Sequence, residues 1–148
     1  MRETEVLSAP LLVEYPFTRT VGPVQSAFFT ALREGVVLGV RATDGTVVCP
    51  PVEYDSFTSE SLSELVELGD AGVVTTWAWV TEPRDDQPLD HPFAWALIRI
   101  DGADTGMLHA VDAGNESAMA TGMRVRIRWA DDREGSITDI ACFEPEAT

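Results

Sequence analysis

Hydrophobic positions recur with two different periods along this chain, and the first period is helical. Between residues 20 and 35 the apolar positions follow the i, i+3, i+4, i+7 spacing of an amphipathic helix. They are Val24, Ala27, Phe28, Ala31 and Leu32. Thr20 suits the N-cap, Pro23 the first turn and Gly35 the C-terminal exit, so we expect about three turns of helix.

The segment before this helix, residues 1–16, predicts an extended arm. Pro10 and Pro16 discourage a continuous helix. The apolar residues of the arm are Val6, Leu7, Leu11, Leu12, Val13 and Tyr15. We expect such an arm to gain stability only by lying on a surface, its own or a partner's.

A β-hairpin is predicted directly after the helix. Two short β-prone runs, 36–41 and 46–49, are separated by a turn that contains Asp44 and Gly45, a dipeptide typical of hairpins. The Pro-rich and polar stretch 50–63 then predicts a loop that leads to the rest of the chain.

From residue 62 onward the period changes to that of β-strands. The predicted strands are 64–80 with a break at 69–72, then 93–100, 106–112, 123–129 and 137–143. One short helix is predicted at 115–120, between the third and fourth strands. This order is that of a five-stranded OB-fold barrel. We therefore predict a mainly β protein with an N-terminal module, residues 1–60, and an OB-fold domain, residues 61–148.

Composition narrows the function. The chain has 148 residues with 25 acidic and 10 basic side chains, all of the latter Arg, and a net charge of -15. Such a charge disfavours binding to nucleic acid and to anionic membranes. No run approaches the roughly 18 apolar residues of a membrane span, and the first residues lack a secretory signal, so we expect a cytoplasmic protein. Cys49 and Cys142 are expected to be reduced thiols.

The sequence contains no recognisable catalytic constellation. A phosphate-binding Gly loop, a His-Glu-x-x-His motif and a nucleophile elbow are all missing from it. His91 is expected on the surface beside Asp85, Asp86 and Asp90, although loops at this end of an OB barrel often bind ligands. His109 is expected to be buried or half-buried and satisfied by hydrogen bonds rather than a catalytic base.

Five stretches together resemble the acyl-CoA-associated OB-fold family, in which an N-terminal helix and a rubredoxin-like zinc ribbon precede an OB barrel. They are 32–35, 45–51, 72–74, 92–98 with 101–102, and 122–125. The resemblance covers most of the chain. It implies a non-catalytic subunit of a thiolase-like enzyme, such as a steroid side-chain aldolase, with acyl-CoA as the shared substrate.

At the zinc ribbon the chain departs from this family. The four ligand positions fall near Arg41, Asp44, Asp55 and Thr58, none of which is cysteine. Structural zinc sites of this kind need four thiolate or imidazole ligands. We therefore expect a degenerate ribbon without metal, held by packing and by an ion pair of Arg41 with Asp44 or Asp55.

The remaining candidates concern partner and CoA contacts. For docking on the partner we predict Phe28, Phe29 and Leu32 in the helix, with Tyr15 and Phe17 in the arm; internal packing of Phe28 and Phe29 is the alternative. For CoA or partner contact we predict Arg124, Arg126, Arg128, Trp77 and Trp79. A solvated arginine face and tryptophans serving as core anchors are the alternatives. Two rival functions stay open: an OB-fold single-strand nucleic-acid binder and a stand-alone acyl-CoA hydratase or thioesterase.

Overall fold

The computed structural model describes residues 4–147, so the first three residues of the predicted arm lie outside the described residues. Within these residues, one α-helix and eight strands follow one another. They are α1 (Pro23–Arg33), β1 (Val37–Arg41), β2 (Val47–Val48), β3 (Leu65–Leu68), β4 (Ala71–Val80), β5 (Phe93–Ile100), β6 (Met107–Val111), β7 (Arg124–Trp129) and β8 (Ile140–Pro145). The mainly β prediction is confirmed.

The helix α1 begins two residues later than predicted. Its N-cap is Gly22 rather than Thr20, and Gly22 has no side chain with which to cap the helix. The carboxylate of Glu53 replaces such a cap, because its oxygens accept hydrogen bonds from the amides of Val24 at 3.2 Å and Gln25 at 2.9 Å. The predicted exit is confirmed: Gly35 has a φ of 77°, which a residue with a β-carbon rarely adopts.

Strand β3 corrects the predicted division of the β-strands. Residues 64–68 were expected to open the barrel, but β3 pairs antiparallel with β1, in the register Val37 with Leu68 and Val40 with Leu65. The hairpin of β1 and β2 thus becomes a three-stranded sheet in the order β2-β1-β3. The sheet of the N-terminal module continues to Leu68. The predicted boundary between residues 60 and 61 stays a prediction.

The last five strands close into a barrel in the order β4-β5-β6-β8-β7, with β7 pairing back to β4. This is the expected OB-fold. The predicted helix at 115–120 is a single 3-10 turn, Glu116–Ala118, although it lies between β6 and β7 as expected. The last strand starts later than predicted, because residues 137–139 form a second 3-10 turn.

A β-bulge in β4 decides which of its side chains face the core. The register of β4 on β5 shifts between Val74 and Thr76. Val74 is completely buried before the bulge, whereas Trp77 and Trp79 pack against the core after it. One extra residue reverses the alternation of inward and outward positions, as bulges do in small barrels.

The main apolar core joins the N-terminal module to the barrel. It contains Leu32 from α1 and Val37 from β1 together with Ile98, Val125 and Phe143 from the barrel, all buried to 1% exposure or less. The loop between β7 and β8 adds polar ties to the same helix, because the Arg133 Nε donates a hydrogen bond to the Arg33 carbonyl oxygen at 2.9 Å. The two parts are therefore packed as one unit.

Candidate docking surface

The N-terminal arm is the largest uncovered apolar feature among the described residues. From residue 4 to the start of α1 the chain forms no helix or strand. Its seven large apolar side chains are between 73% and 92% exposed: Val6, Leu7, Leu11, Leu12, Val13, Tyr15 and Phe17. The arm therefore does not lie on the chain's own surface.

The ribbon segment that follows β2 exposes two further aromatic side chains. Phe57 is 91% exposed and Tyr54 is 63% exposed. They belong to the same end of the molecule as the root of the arm, because the adjacent Glu53 caps the first turn of α1. We call the apolar residues of the arm together with Tyr54 and Phe57 the arm surface.

Asp55 organises the segment that carries these aromatic side chains. Its buried carboxylate accepts hydrogen bonds from the Thr43 amide at 3.0 Å, the Thr43 hydroxyl at 2.8 Å, the Phe57 amide at 2.8 Å and the Thr58 amide at 2.9 Å. These bonds hold the pKa of Asp55 far below its usual range, with the Thr43 amide as the largest contribution. Asp55 thus joins the turn between β1 and β2 to the segment that contains Phe57 and Thr58.

The other ribbon positions do not behave as predicted. Arg41 pairs with Glu64 at 3.0 Å and donates to the Gly45 carbonyl oxygen at 3.1 Å, so the expected pairing with Asp44 or Asp55 is wrong. Asp44 instead accepts a hydrogen bond from the Thr46 amide at 2.9 Å within the hairpin turn. No cluster of three or more His, Cys, Asp or Glu side chains suited to a metal ion occurs within residues 4–147.

The helix contributes less to an external surface than predicted. Phe28 is 3% exposed and Leu32 is fully buried in the shared core, so neither offers surface to a partner, which corrects that part of the prediction. Phe29 is half-buried beside Phe28, with 5.4 Å between the ring centroids. Tyr15 and Phe17 are exposed and stay candidates for partner contact.

The three arginines of β7 face acidic side chains of the same chain. Arg124 pairs with Asp101 at 2.6 Å and with Glu146 at 2.8 Å. On the neighbouring strand Glu144 accepts from Arg126 at 2.9 Å and from Arg128 at 3.3 Å. A phosphate would have to displace these carboxylates, so the structure favours the solvated arginine face over a CoA site.

The two histidines have opposite environments. His91 lies between Asp90 and Asp112, 3.1 Å from a carboxylate oxygen of each, and the hydrogen bond to Asp112 is the main reason that its pKa is raised. His109 is buried, which lowers its pKa, and its Nδ1 accepts a hydrogen bond from the Ala110 amide at 2.8 Å. The predicted burial of His109 and its satisfaction by a hydrogen bond are confirmed.

The remaining predicted residues, two tryptophans and two cysteines, are wholly or partly buried. Trp77 and Trp79 are half-buried against the barrel core, which leaves only part of each ring exposed. Cys49 and Cys142 are both buried and free, and burial raises the pKa of the Cys49 thiol to about 12. A thiol with so high a pKa is a poor nucleophile at neutral pH.

Several exposed or charge-paired residues were missed from sequence. Phe57 and Tyr54 lie in a stretch that was treated only as a linker, although two aromatics in a polar loop are themselves an indication of an exposed contact. Asp112 was missed because its partners, His91 and Arg128, lie on other elements. Glu144 could have been found, since acids occur at the alternate positions 144, in β8, and 146, directly after it.

Comparison with known proteins finds one protein-family model that matches most of the barrel. Residues 65–130 match the protein-family model described as the C-terminal OB-fold domain of ChsH2. No curated protein matches the chain. No helix within the described residues is long and apolar enough to cross a membrane.

Two solved structures share the fold. The Ltp2-ChsH2(DUF35) aldolase aligns with a TM-score of 0.62 at 16% identity, covering 86% of this chain and 98% of the matched one. A DUF35-family protein of unknown function from Sulfolobus solfataricus aligns with a TM-score of 0.58 at 22% identity, covering 72% and 77%. Residues 65–130 are therefore similar to the C-terminal OB-fold domain of ChsH2, and the chain shares the fold of both structures.

Proposed function

We propose that this chain is an accessory subunit that binds a thiolase-like aldolase and helps to form its acyl-CoA channel. The observation that carries the proposal is the arm surface, whose seven arm side chains are at least 73% exposed. The family of the barrel supports the choice of partner, since one solved relative is an aldolase that contains ChsH2.

The exposure of the arm is costly unless a partner covers it. Burying a large aliphatic or aromatic side chain contributes about 1.5–3 kcal/mol. Neighbouring residues of the arm are apolar on both sides of the extended chain, so an apolar groove that encloses the arm fits it better than a flat surface. Tyr54 and Phe57 extend this contact beyond the arm itself.

The charge of this chain indicates that the edge of the partner's groove is basic. The chain carries a net charge of -15, and the arm contributes Glu5 and Glu14 next to its apolar residues. An acidic segment with an apolar face is complemented by an apolar groove that has basic residues at its edge. The same basic residues would serve the phosphates of CoA, for which the paired arginines of β7 offer no free charge.

Such a subunit would act by positioning the substrate and not by supplying catalytic groups. The nucleophile or base that cleaves a carbon–carbon bond in an acyl-CoA would belong to the thiolase-like partner. This chain would order the partner's channel and hold the thioester in line with those groups. It needs no zinc for this role, because Asp55 and its four hydrogen bonds organise the ribbon segment.

The test uses a thiolase-like protein from the same organism, purified without this chain. Adding the full chain should produce a hetero-oligomer in light scattering and raise aldol cleavage of an acyl-CoA substrate at least tenfold. The double variant Leu11→Asp, Leu12→Asp should bind at least tenfold more weakly at an unchanged melting temperature. Leu65→Asp, an exposed apolar residue of β3, is the matched control and should bind normally. Full cleavage activity without this chain would contradict the proposal.

A further inference from the structure

A groove opens on the outer side of the barrel where β6 and β8 separate. These two strands run parallel and pair at one register position, Val111 with Phe143. Toward their N-terminal ends they diverge, and the space of about 620 Å³ between them is lined by Leu108, His109 and Ile140. The arginines of β7 are not among the residues that line it.

Two loops wall the groove. The loop between β4 and β5 places residues 86–89 on one side, over Trp95, and the 3-10 turn between β7 and β8 places Ile137 and Thr138 on the other. In OB-folds the corresponding strands and loops form the common ligand-binding face. The first loop is held down by a small outer core in which Phe93, Ala110 and Cys142 are completely buried.

The lining of the groove selects against charged ligands. Most of its surface is apolar, and Leu108 and Ile137 are 60% and 39% exposed. The lining residues include no Lys or Arg, and their one carboxylate is Asp86. Burial lowers the pKa of His109, and its Nδ1 accepts a hydrogen bond from the Ala110 amide.

We propose that this groove binds an uncharged, mainly apolar small molecule. Its volume falls within the range of about 300–1,000 Å³ that small-molecule sites occupy, and apolar walls with a few polar edge groups are typical of such sites. Trp95 offers a ring on which an aromatic or alicyclic ligand packs. Phosphates, including those of CoA or nucleic acid, have no counter-charge here. The site is separate from the arm surface and does not depend on the accessory role proposed above.

The test measures binding of prodan, a neutral solvatochromic naphthalene, to the full chain. We expect saturable binding, with amide shift changes in two-dimensional NMR clustered at residues 86–89, 108–109 and 137–141 and not in the arm. Leu108→Asp should weaken prodan binding at least tenfold, whereas the control Leu65→Asp should change it less than twofold. The anionic dye 1-anilinonaphthalene-8-sulfonate should bind at least tenfold more weakly than prodan.

Three results for the wild-type protein would overturn the proposal. Wild-type protein that fails to saturate, shift changes confined to the arm, or equal affinity for the neutral and anionic dyes would each refute it. If Leu108→Asp does not fold, Ile137→Asp in the 3-10 turn replaces it, with the same tenfold loss expected. Wild-type affinity in the folded variant would also refute the proposal.

Discussion

Replacing Leu32 by Ala tests whether the N-terminal module and the barrel share one core. Leu32 has no exposed surface, and it packs in the same cluster as Val37 of β1 and Ile140 of β8. Removing a fully buried Leu side chain costs about 2–5 kcal/mol, and a site this enclosed should lie near the middle, about 3 kcal/mol. For a chain of this length each kcal/mol lowers the melting temperature by roughly 2–4 °C, so we expect a fall of roughly 6–12 °C.

The assay is thermal unfolding followed by calorimetry and by circular dichroism. One cooperative transition should be seen for both proteins, because the core is continuous. Thr30→Ala is the matched control on the same helix, since Thr30 is exposed and its hydroxyl donates only to the Ser26 carbonyl oxygen. It should change stability by less than about 0.5 kcal/mol. Two separate transitions, with the barrel's transition unchanged in Leu32→Ala, would refute the shared core.

Three other changes test the polar contacts. Asp55→Asn should destabilise the protein at pH 7 and somewhat less at pH 3 in thermal melts. The folded pKa of Asp55 lies far below its unfolded value of about 3.9, so its stabilisation is complete above that pH, begins to fall below it and is lost as the pH falls through the folded pKa. In an NMR titration His91 should titrate above the ordinary pKa of about 6.5 and His109 below it. The variant Asp112→Asn should lower the pKa of His91. The stabilisation from His91 is present below about pH 6.5 and is lost as the pH rises through its folded pKa. Glu53→Ala should cost about 1 kcal/mol in urea unfolding, because two amides of α1 lose their acceptor.

Each of these changes has a result that would contradict the reasoning. An equal loss of stability in Asp55→Asn at both pH values would show that the charge of Asp55 has no role. A pKa of His91 at or below the ordinary value would contradict the pairing with Asp112. Wild-type stability of Glu53→Ala would mean that solvent caps α1 equally well.

Periodicity in the sequence was enough to locate the helix and the five barrel strands. The apolar spacing from Val24 to Leu32 and the alternation in β7 are local patterns, and the structure keeps both. The order of strands around one short helical turn was enough to predict an OB-fold. The exposed arm was also predictable, since two prolines and a dense apolar run leave few other structures.

Contacts between distant residues could not be predicted from these local patterns. The pairing of β3 with β1, and not with the barrel, depends on which strand edge is free. The cap of α1 comes from Glu53, about thirty positions away, which is why Thr20 looked like a better candidate. The bulge after Val74 moves Trp77 and Trp79 onto the core side, and no residue type marks it.

The docking candidates Phe28 and Leu32 were wrong for a related reason. An apolar stripe on a helix is equally suited to its own core and to a partner, and burial of Phe28 and Leu32 is known only from the fold. The arginines of β7 likewise look like an anion site until the acids of β8 are placed beside them. Free charge is a property of the assembled surface and not of one strand.

Hydrogen exchange of the arm in the presence of the thiolase-like partner tests the central claim most directly. The free chain should exchange the amides of residues 6–17 at nearly unprotected rates, because the arm forms no helix or strand. In the complex we predict strong protection of these amides and of residues 54–57, with little change at the paired arginines of β7. Unchanged exchange of the arm in a stable complex would contradict the account.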